Sequence, residues 1–209
     1  MNIKLTPIFV TAAIALAVFP AHAESLVDGS VENGKLKSIT CTACHGQEGN
    51  SVSPMWPSIA GQSATYIVTQ LEAFKGGSRS DPLMASQAML LSEDDMRDVA
   101  VYFESLPRAA MSVADVSKVS RGLALYRGGD SELGIAACMA CHGPTGRGNP
   151  AAGYPAISGQ HATYAAKQLR DYAAGTRRSD GKTRIMRDIA ARLDGDDIDA
   201  IASYMQGLR

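Results

Sequence analysis

Four segments of the chain place apolar residues at every third or fourth position, which is the spacing of one buried helix face. Two of these segments end just before a glycine, Gly76 or Gly175, and each of the other two is the last segment of one half of the chain. The apolar positions are Ile67, Leu71 and Phe74; Ala165, Leu169 and Tyr172; Met96, Val99, Phe103 and Leu106; and Ile198, Ile201, Met205 and Leu208. The pattern predicts four amphipathic helices.

Two further helices are predicted ahead of these, over 31–39 and 116–127. Gly34 and Gly122 lie inside them, and a residue without a Cβ atom lets another helix cross closely. Ser92 and Asp194 each stand three residues before an aspartate, in the pattern of an N-terminal helix cap. No segment shows the strict alternation of a strand, so the predicted fold class is all-α.

The sequence repeats itself once. The segment WPSIAGQ at 56–62 matches YPAISGQ at 154–160 with an offset of 98 positions, which becomes 102 after a four-residue insertion. A repeat of this size indicates two small domains rather than one large one. We expect an N-terminal domain over 24–107, a linker over 108–115 and a C-terminal domain over 116–209.

The first 23 residues have the pattern of a secretory signal peptide. Lys4 supplies a positive start, residues 8–19 are apolar, and Ala21-His22-Ala23 is a small-x-small cleavage signal. An apolar run of about a dozen residues is shorter than the roughly 20 that span a bilayer, so we expect cleavage rather than anchoring. The predicted location is the periplasm, with no transmembrane span after cleavage and with peripheral membrane association left open.

Each half of the chain contains one C-x-x-C-H-G motif, at 41–46 and 138–143, and the two motifs use all four cysteines. Cysteines three residues apart face one side of a helical turn, and the adjacent histidine can reach an iron, as in covalent haem attachment. A zinc site needs further ligands at short spacing, a redox dithiol expects a βαβ context, and a disulfide here would close a strained ring. Two copies in a repeat favour haem. We predict two covalently bound haem c groups on Cys41, Cys44, Cys138 and Cys141, with His45 and His142 as axial iron ligands.

The second axial ligand separates a carrier from an enzyme, because an iron with an open position binds oxygen or peroxide. A methionine thioether is the ligand expected in carriers. Met84 lies eight residues before Ser92 and Met186 eight before Asp194, and only these methionines keep a counterpart in the repeat. We assign Met84 and Met186 as distal ligands, with Met89 as the alternative in the first domain.

One further histidine and two prolines are candidates around the irons. His161 could replace Met186, but its counterpart Ser63 stands at the start of a helix, which favours a surface or capping role. Pro57 and Pro155 follow the motif histidines by 12 and 13 residues. Each proline is expected to turn the chain and to accept the hydrogen bond of the histidine Nδ1 through its carbonyl.

The paired haem motifs, the paired methionines and the G-Q-x-A-T-Y segments at 61–66 and 159–164 give the chain a resemblance to the cytochrome c4 family of dihaem periplasmic cytochromes. The resemblance covers everything after the signal peptide. It implies two tandem cytochrome c-like domains related by an approximate twofold axis, with haem propionates near the domain interface. It also implies His/Met ligation at both irons.

The function that follows is an electron carrier rather than an enzyme. Its partners would be a redox protein donor and acceptor, with a membrane-bound terminal oxidase implied as the acceptor and no nucleic-acid partner. One alternative is the dihaem subunit of a larger oxidoreductase, such as a flavocytochrome sulfide dehydrogenase. Another is a dihaem peroxidase, which requires an iron with an open position. Met84 and Met186, as distal ligands, would fill that position at both irons.

Overall fold

The computed structural model describes residues 25–209, and the predicted signal peptide at 1–23 lies outside them. Within the described residues the chain forms ten α-helices and three short 3₁₀ helices, and no strand apart from two isolated bridges. The α-helices are α1 (Val31–Lys37), α2 (Ile39–His45), α3 (Ala64–Lys75), α4 (Pro82–Met89), α5 (Glu93–Ser105), α6 (Val119–Gly128), α7 (Met139–His142), α8 (Ala162–Ala173), α9 (Ile185–Ala190) and α10 (Gly195–Gly207). The 3₁₀ helices are Val116–Lys118, Pro150–Ala152 and Gly181–Thr183. The all-α prediction is confirmed.

The order α1 to α5 recurs as α6 to α10, so the repeat in the sequence is a repeat of the fold. Each half has its own core. The core of the first half includes Leu71, Met96 and Phe103, whereas that of the second includes Leu169 and Ile201. No helix in residues 25–209 is long and apolar enough to cross a membrane.

The terminal helices α5 and α10 begin where their sequence caps predict. The Ser92 hydroxyl accepts from the backbone N–H of Asp95, and the Asp95 carboxylate accepts from the backbone N–H of Ser92, which completes a capping box. Asp194 caps α10 by accepting from the backbone N–H of Asp197. These bonds satisfy N–H groups that a helix start otherwise leaves without partners.

The first helix of each half crosses the terminal helix at a glycine. A Cβ atom on Gly34 would lie 2.0 Å from the carbonyl oxygen of Asp98, and one on Gly122 would lie 2.3 Å from that of Ala200. Both distances are far below van der Waals contact, so only glycine fits these crossings. The predicted close approach of the helices is confirmed.

The predicted helix over 31–39 ends earlier than the sequence indicates. α1 ends at Lys37 and α2 begins at Ile39, with Ser38 between them donating its hydroxyl to the carbonyl of Lys35. Serine competes with the backbone for hydrogen bonds in this way, which interrupts a helix. The break separates α1 from the helix that carries the first cysteine motif.

Candidate functional site

Both motif histidines end a short helix and are followed by a glycine with positive φ. α2 ends at His45 and Gly46 has φ 83°, while α7 ends at His142 and Gly143 has φ 77°. A Cβ atom on Gly46 would also lie 2.2 Å from the carbonyl oxygen of Asn50. The glycine that closes each motif therefore turns the chain sharply and leaves the histidine at the helix end.

Each imidazole is oriented by a proline carbonyl. The Nδ1 of His45 lies 2.8 Å from the carbonyl oxygen of Pro57, and the Nδ1 of His142 lies 2.8 Å from that of Pro155. A carbonyl can only accept, so Nδ1 carries the proton and Nε2 presents its lone pair. Both predictions about the prolines' carbonyls are confirmed, and the arrangement is typical of a metal-binding histidine.

Burial keeps the two imidazoles neutral. His45 is 8% exposed and His142 is 7% exposed. Burial lowers the pKa of His45 and of His142, and the hydrogen bond to the proline carbonyl only partly opposes this shift. A neutral imidazole is the form that binds a metal ion.

The four cysteines are free thiols and are half-buried. Burial raises the pKa of the Cys41 thiol and raises that of Cys138 to about 11. The first cysteine of each motif also packs against the apolar core of its own domain. All four thiols are therefore unpaired and lie within four residues of a buried histidine, where a porphyrin can be attached.

Met84 and Met186 occupy the same position in the two domains. Met84 packs against the core cluster that Cys41 also contacts, and Met186 packs against the cluster that Cys138 contacts. Met89 is 61% exposed at the end of α4 and belongs to no such cluster. The structure thus brings one partly buried thioether to the cysteine-bearing core in each domain.

The donor set in each domain fits a c-type haem. Each half brings one free thiol and one thioether to the same apolar cluster, Cys41 with Met84 and Cys138 with Met186. The second thiol and the imidazole, which has its Nε2 lone pair available, follow the first thiol by three and four residues. The soft thioether and the borderline imidazole suit iron in a porphyrin. Within the described residues, no group of three or more His, Cys, Asp or Glu side chains has the geometry of a separate metal site.

His161 lies at the start of a helix, as its counterpart Ser63 indicates, but its side chain does not cap that helix. It occupies the N-cap position of α8. Its Nε2 lies 2.7 Å from the carbonyl oxygen of Ser51 in the other domain, a separation of 110 residues. The capping prediction is wrong, because the adjacent domain supplies an acceptor that the local sequence does not reveal.

Arg108, assigned to the linker, makes contacts that sequence reasoning missed. Its guanidinium donates to the carbonyls of Ser158 and Gly61, each at 2.9 Å, so it binds both domains. Burial, together with the charge of Arg147, lowers the pKa of Arg108 to about 10, which leaves it protonated at neutral pH. Gln62 and Gln160, in the two G-Q-x-A-T-Y segments, also form hydrogen bonds across the domain boundary. The repetition of these glutamines in the sequence is the one signal from which their role could have been predicted.

Comparison with known proteins identifies the fold and the cofactor. The sequence profile of the cytochrome c family, described as "Cytochrome c", matches residues 31–107 and again 125–209. Cytochrome c4 of Pseudomonas aeruginosa is 46% identical over 180 residues, covering 86% of this chain and 89% of that protein. A crystal structure of reduced cytochrome c4 from Pseudomonas stutzeri superposes with a TM-score of 0.85 at 42% identity, covering 87% of this chain and all of the other. The thiosulfate dehydrogenase electron acceptor of Stutzerimonas stutzeri is 34% identical, covering 80% of this chain and 78% of that protein.

The tandem helical domains, each with one cysteine motif, define a c-type cytochrome with two covalently bound haem c groups. More narrowly, the chain belongs to the cytochrome c4 family. It is a dihaem electron carrier and a redox partner of other proteins.

Proposed function

We propose that this chain carries one electron at each of two six-coordinate haem groups and delivers them to a terminal oxidase. In this proposal, the same set of two cysteines, one histidine and one methionine holds the haem in each domain. The thioether bonds form at Cys41, Cys44, Cys138 and Cys141, and the axial ligands are His45 with Met84 and His142 with Met186.

The observation that carries the proposal is the pairing of Met84 and Met186 with the cysteine-bearing clusters of their domains. A haem held between imidazole and thioether supplies an iron that gains and loses one electron with no open position for a substrate. The exposed Met89 would have to leave solvent and turn toward the core to serve instead. These observations support a carrier over a peroxidase.

The apolar surroundings of each site are expected to favour the reduced state of the iron. The histidines are buried and the methionines pack against apolar clusters, and burial in apolar surroundings disfavours the more highly charged state of a group. Oxidised iron in a porphyrin carries the greater charge, and thioether ligation also favours the reduced metal. Both potentials are therefore expected to be positive, which suits delivery to an oxidase.

The proposal keeps the division of the chain into a signal peptide, two domains and a linker that the sequence predicts. Residues 1–23 are a signal peptide that directs export to the periplasm, where covalent haem attachment takes place. Two domains follow, over 24–107 and 116–209, joined by 108–115. The contacts of Arg108 with both domains support a linker that also holds the domains together.

A second function is favoured by the similarity to the thiosulfate dehydrogenase electron acceptor. In that case the chain would take electrons from a separate dehydrogenase, as a dihaem partner of a larger oxidoreductase. The first function names the acceptor of the electrons and the second names their donor, and both use the same haem sites. Stopped-flow mixing of the reduced protein with a terminal oxidase tests the first, and mixing of the oxidised protein with a thiosulfate-oxidising enzyme tests the second; fast electron transfer supports the function in each case, and its absence contradicts it.

The ferric absorption spectrum tests the axial ligands directly. A methionine–iron charge-transfer band equivalent to two haems is expected in the wild-type protein, and Met84→Ala should remove half of it while both haems stay attached. Met89→Ala is the matched control and should leave the band intact. The assignment would be wrong if Met89→Ala removed half of the band and Met84→Ala removed none.

A further inference from the structure

In the N-terminal domain, one peptide group binds the motif histidine at one end and the opposite domain at the other. The carbonyl oxygen of Pro57, which lies 2.8 Å from the His45 Nδ1, belongs to the same peptide group as the backbone N–H of Ser58. That N–H donates to the Gln160 Oε1 at 3.0 Å, across the domain boundary. A single peptide group therefore separates a proposed iron ligand from a side chain of the other domain.

The C-terminal domain contains the same series of bonds. The Nδ1 of His142 lies 2.8 Å from the carbonyl oxygen of Pro155. The N–H of the same peptide group belongs to Ala156 and donates to the Gln62 Oε1 at 2.9 Å. Each domain thus supplies the glutamine that bonds the histidine-orienting peptide group of the other domain.

The orientation of both glutamine amides is fixed by their other partners. The Gln160 Oε1 also accepts from the backbone N–H of His161, and the Gln62 Oε1 from that of Ser63, each at 3.0 Å. The Nε2 of each glutamine donates to a carbonyl of the opposite domain at 2.8 Å. A reversed amide would set its NH₂ group against two N–H donors, so the oxygen must face the histidine-orienting peptide group.

Hydrogen bonds at the two ends of a peptide group reinforce each other. When the N–H donates, electron density moves toward the carbonyl oxygen of the same group, and that oxygen becomes a stronger acceptor. A stronger acceptor draws the Nδ1 proton and makes the imidazole more electron-donating toward a bound metal. Because an electron-donating ligand stabilises the more positively charged iron, the bond from the glutamine is expected to lower the reduction potential.

We propose that Gln160 and Gln62 are positioning residues that tune the haem of the opposite domain. Gln160 acts on the N-terminal haem through the Pro57 carbonyl, and Gln62 acts on the C-terminal haem through the Pro155 carbonyl. The inference rests on the proposed ligation of the irons by the two motif histidines. Each haem is then harder to reduce in the paired domains than its own domain alone would make it.

A role in holding the domains together leads to a different expectation. Both glutamines join the same two domains, so loosening the interface by either substitution would affect both haem sites. Tuning through the peptide group instead affects only the haem whose histidine that group orients. The pattern of the effects therefore separates the two roles, and the second haem of each variant serves as an internal control.

The test measures the reduction potential of each haem in the dihaem protein. Gln160→Met keeps the length of the side chain and removes its polar atoms. It should make the N-terminal haem about threefold easier to reduce, a rise of about 28 mV at about 59 mV per tenfold change for one electron. The potential of the C-terminal haem should not change. Gln62→Met should give the converse result, raising only the potential of the C-terminal haem.

The matched control is Gln206→Met. The Gln206 Oε1 accepts from the backbone N–H of Ala162 at 2.8 Å, and its Nε2 donates to the carbonyl of Ser112 at 2.9 Å. These bonds are of the same kinds as those of Gln160 and Gln62, but neither peptide group orients a motif histidine. Both reduction potentials should therefore match those of the wild type.

The proton resonances of the two Nδ1–H groups give a direct measure of each histidine hydrogen bond in the reduced protein. Gln160→Met should move the His45 resonance upfield, because the bond to the proline carbonyl weakens, and should leave the His142 resonance in place. Gln62→Met should do the reverse. Each variant tests the proposal by itself, so a variant that loses a haem leaves the other as the test.

The proposal is overturned if either substitution shifts both potentials equally, shifts only the haem of its own domain, lowers a potential, or changes the potentials no more than Gln206→Met does. An error in the axial ligands would appear separately, in the oxidised wild-type protein. The histidine resonances would then lack the large shifts that a paramagnetic ferric iron imposes on its ligands.

Discussion

Gln62 and Gln160 make the same pair of hydrogen bonds, each to the backbone of the other domain. The Gln62 amide donates to the carbonyl of Ala156 at 2.8 Å and accepts from its N–H at 2.9 Å. The Gln160 amide donates to the carbonyl of Ser58 at 2.8 Å and accepts from its N–H at 3.0 Å. Ser58 and Ala156 directly follow the prolines that orient the motif histidines. The interface is thus bonded to the segments that position both imidazoles.

Gln160→Ala should destabilise the dihaem protein by about 2 kcal/mol, because it removes both hydrogen bonds to Ser58 and a third from the backbone N–H of His161. The backbone N–H and C=O of Ser58 are then left without partners. Urea unfolding measures the difference. Gln47→Ala, at an exposed glutamine, should change the free energy of unfolding by no more than about 0.5 kcal/mol. Equal effects of the two substitutions would show that the reciprocal bonds contribute nothing to stability.

Gly122→Ala should reduce the free energy of unfolding by about 1–3 kcal/mol or more, because its methyl group would overlap the carbonyl of Ala200 and push α6 away from α10. Gly128 lies in the same helix, and a Cβ atom there would meet no atom within 4 Å. Gly128→Ala should therefore be neutral or stabilising by up to about 1 kcal/mol. Thermal unfolding of both variants checks the pair, and a tolerated Gly122→Ala would contradict the close crossing.

Acid should weaken the link between α1 and α5. Hydrogen bonds from the Lys37 side chain, at 2.8 Å, and from the Ser30 backbone N–H, at 2.7 Å, hold the pKa of Asp98 below its usual value. A carboxylate with a lowered folded pKa contributes stability above its unfolded pKa of about 3.9, and this stability is lost as the pH falls through the folded pKa.

Asp98→Asn tests that sign. The melting temperature of the variant should lie below that of the wild type by a constant amount from pH 7 to pH 5. This gap between the two melting temperatures should close as the pH approaches 2. Asp28→Asn, at an exposed aspartate, should show no comparable gap at any pH. A gap that widens in acid would mean that Asp98 is not stabilised in its charged form.

The two domains should differ in potential because their charges differ. Residues 24–110 carry six basic and eleven acidic side chains, a net of −5, whereas residues 111–209 carry thirteen and ten, a net of +3. Positive surroundings stabilise an added electron, so the C-terminal haem should be reduced first. This net charge already counts the acidic partners in the ion pairs of Arg187 with Asp180 and of Arg184 with Asp188.

A redox titration with the methionine methyl resonances of each haem resolved measures the order of reduction. The acidic N-terminal domain should also orient docking toward a basic partner. Raising the salt concentration should narrow the difference between the two potentials, because exposed charges are screened beyond roughly 10 Å at 0.1 M ionic strength. Reduction of the N-terminal haem first would refute the charge argument.

The sequence alone determined the features that depend on residues a few positions apart. The helix faces, the Ser92 cap and the two cysteine motifs follow from local spacing, and the repeat showed that they occur twice. Even the long-range crossing at Gly34 could be predicted, because a glycine inside a helical pattern has few other uses. The motif histidines and their proline acceptors could also be predicted, because each proline follows its histidine by only 12 or 13 residues.

Tertiary structure alone decided which side chains meet across the domain boundary. Arg79 and Tyr164 are 85 residues apart, and His161 and Ser51 are 110 apart. Neither pairing has a local pattern, because each depends on how two separately folded units face each other. The partial burial of Met84 and the exposure of Met89 depend likewise on the side of α4 that packs against the core. A helix pattern places these residues on a helix, but only the packed domains determine what each of them touches.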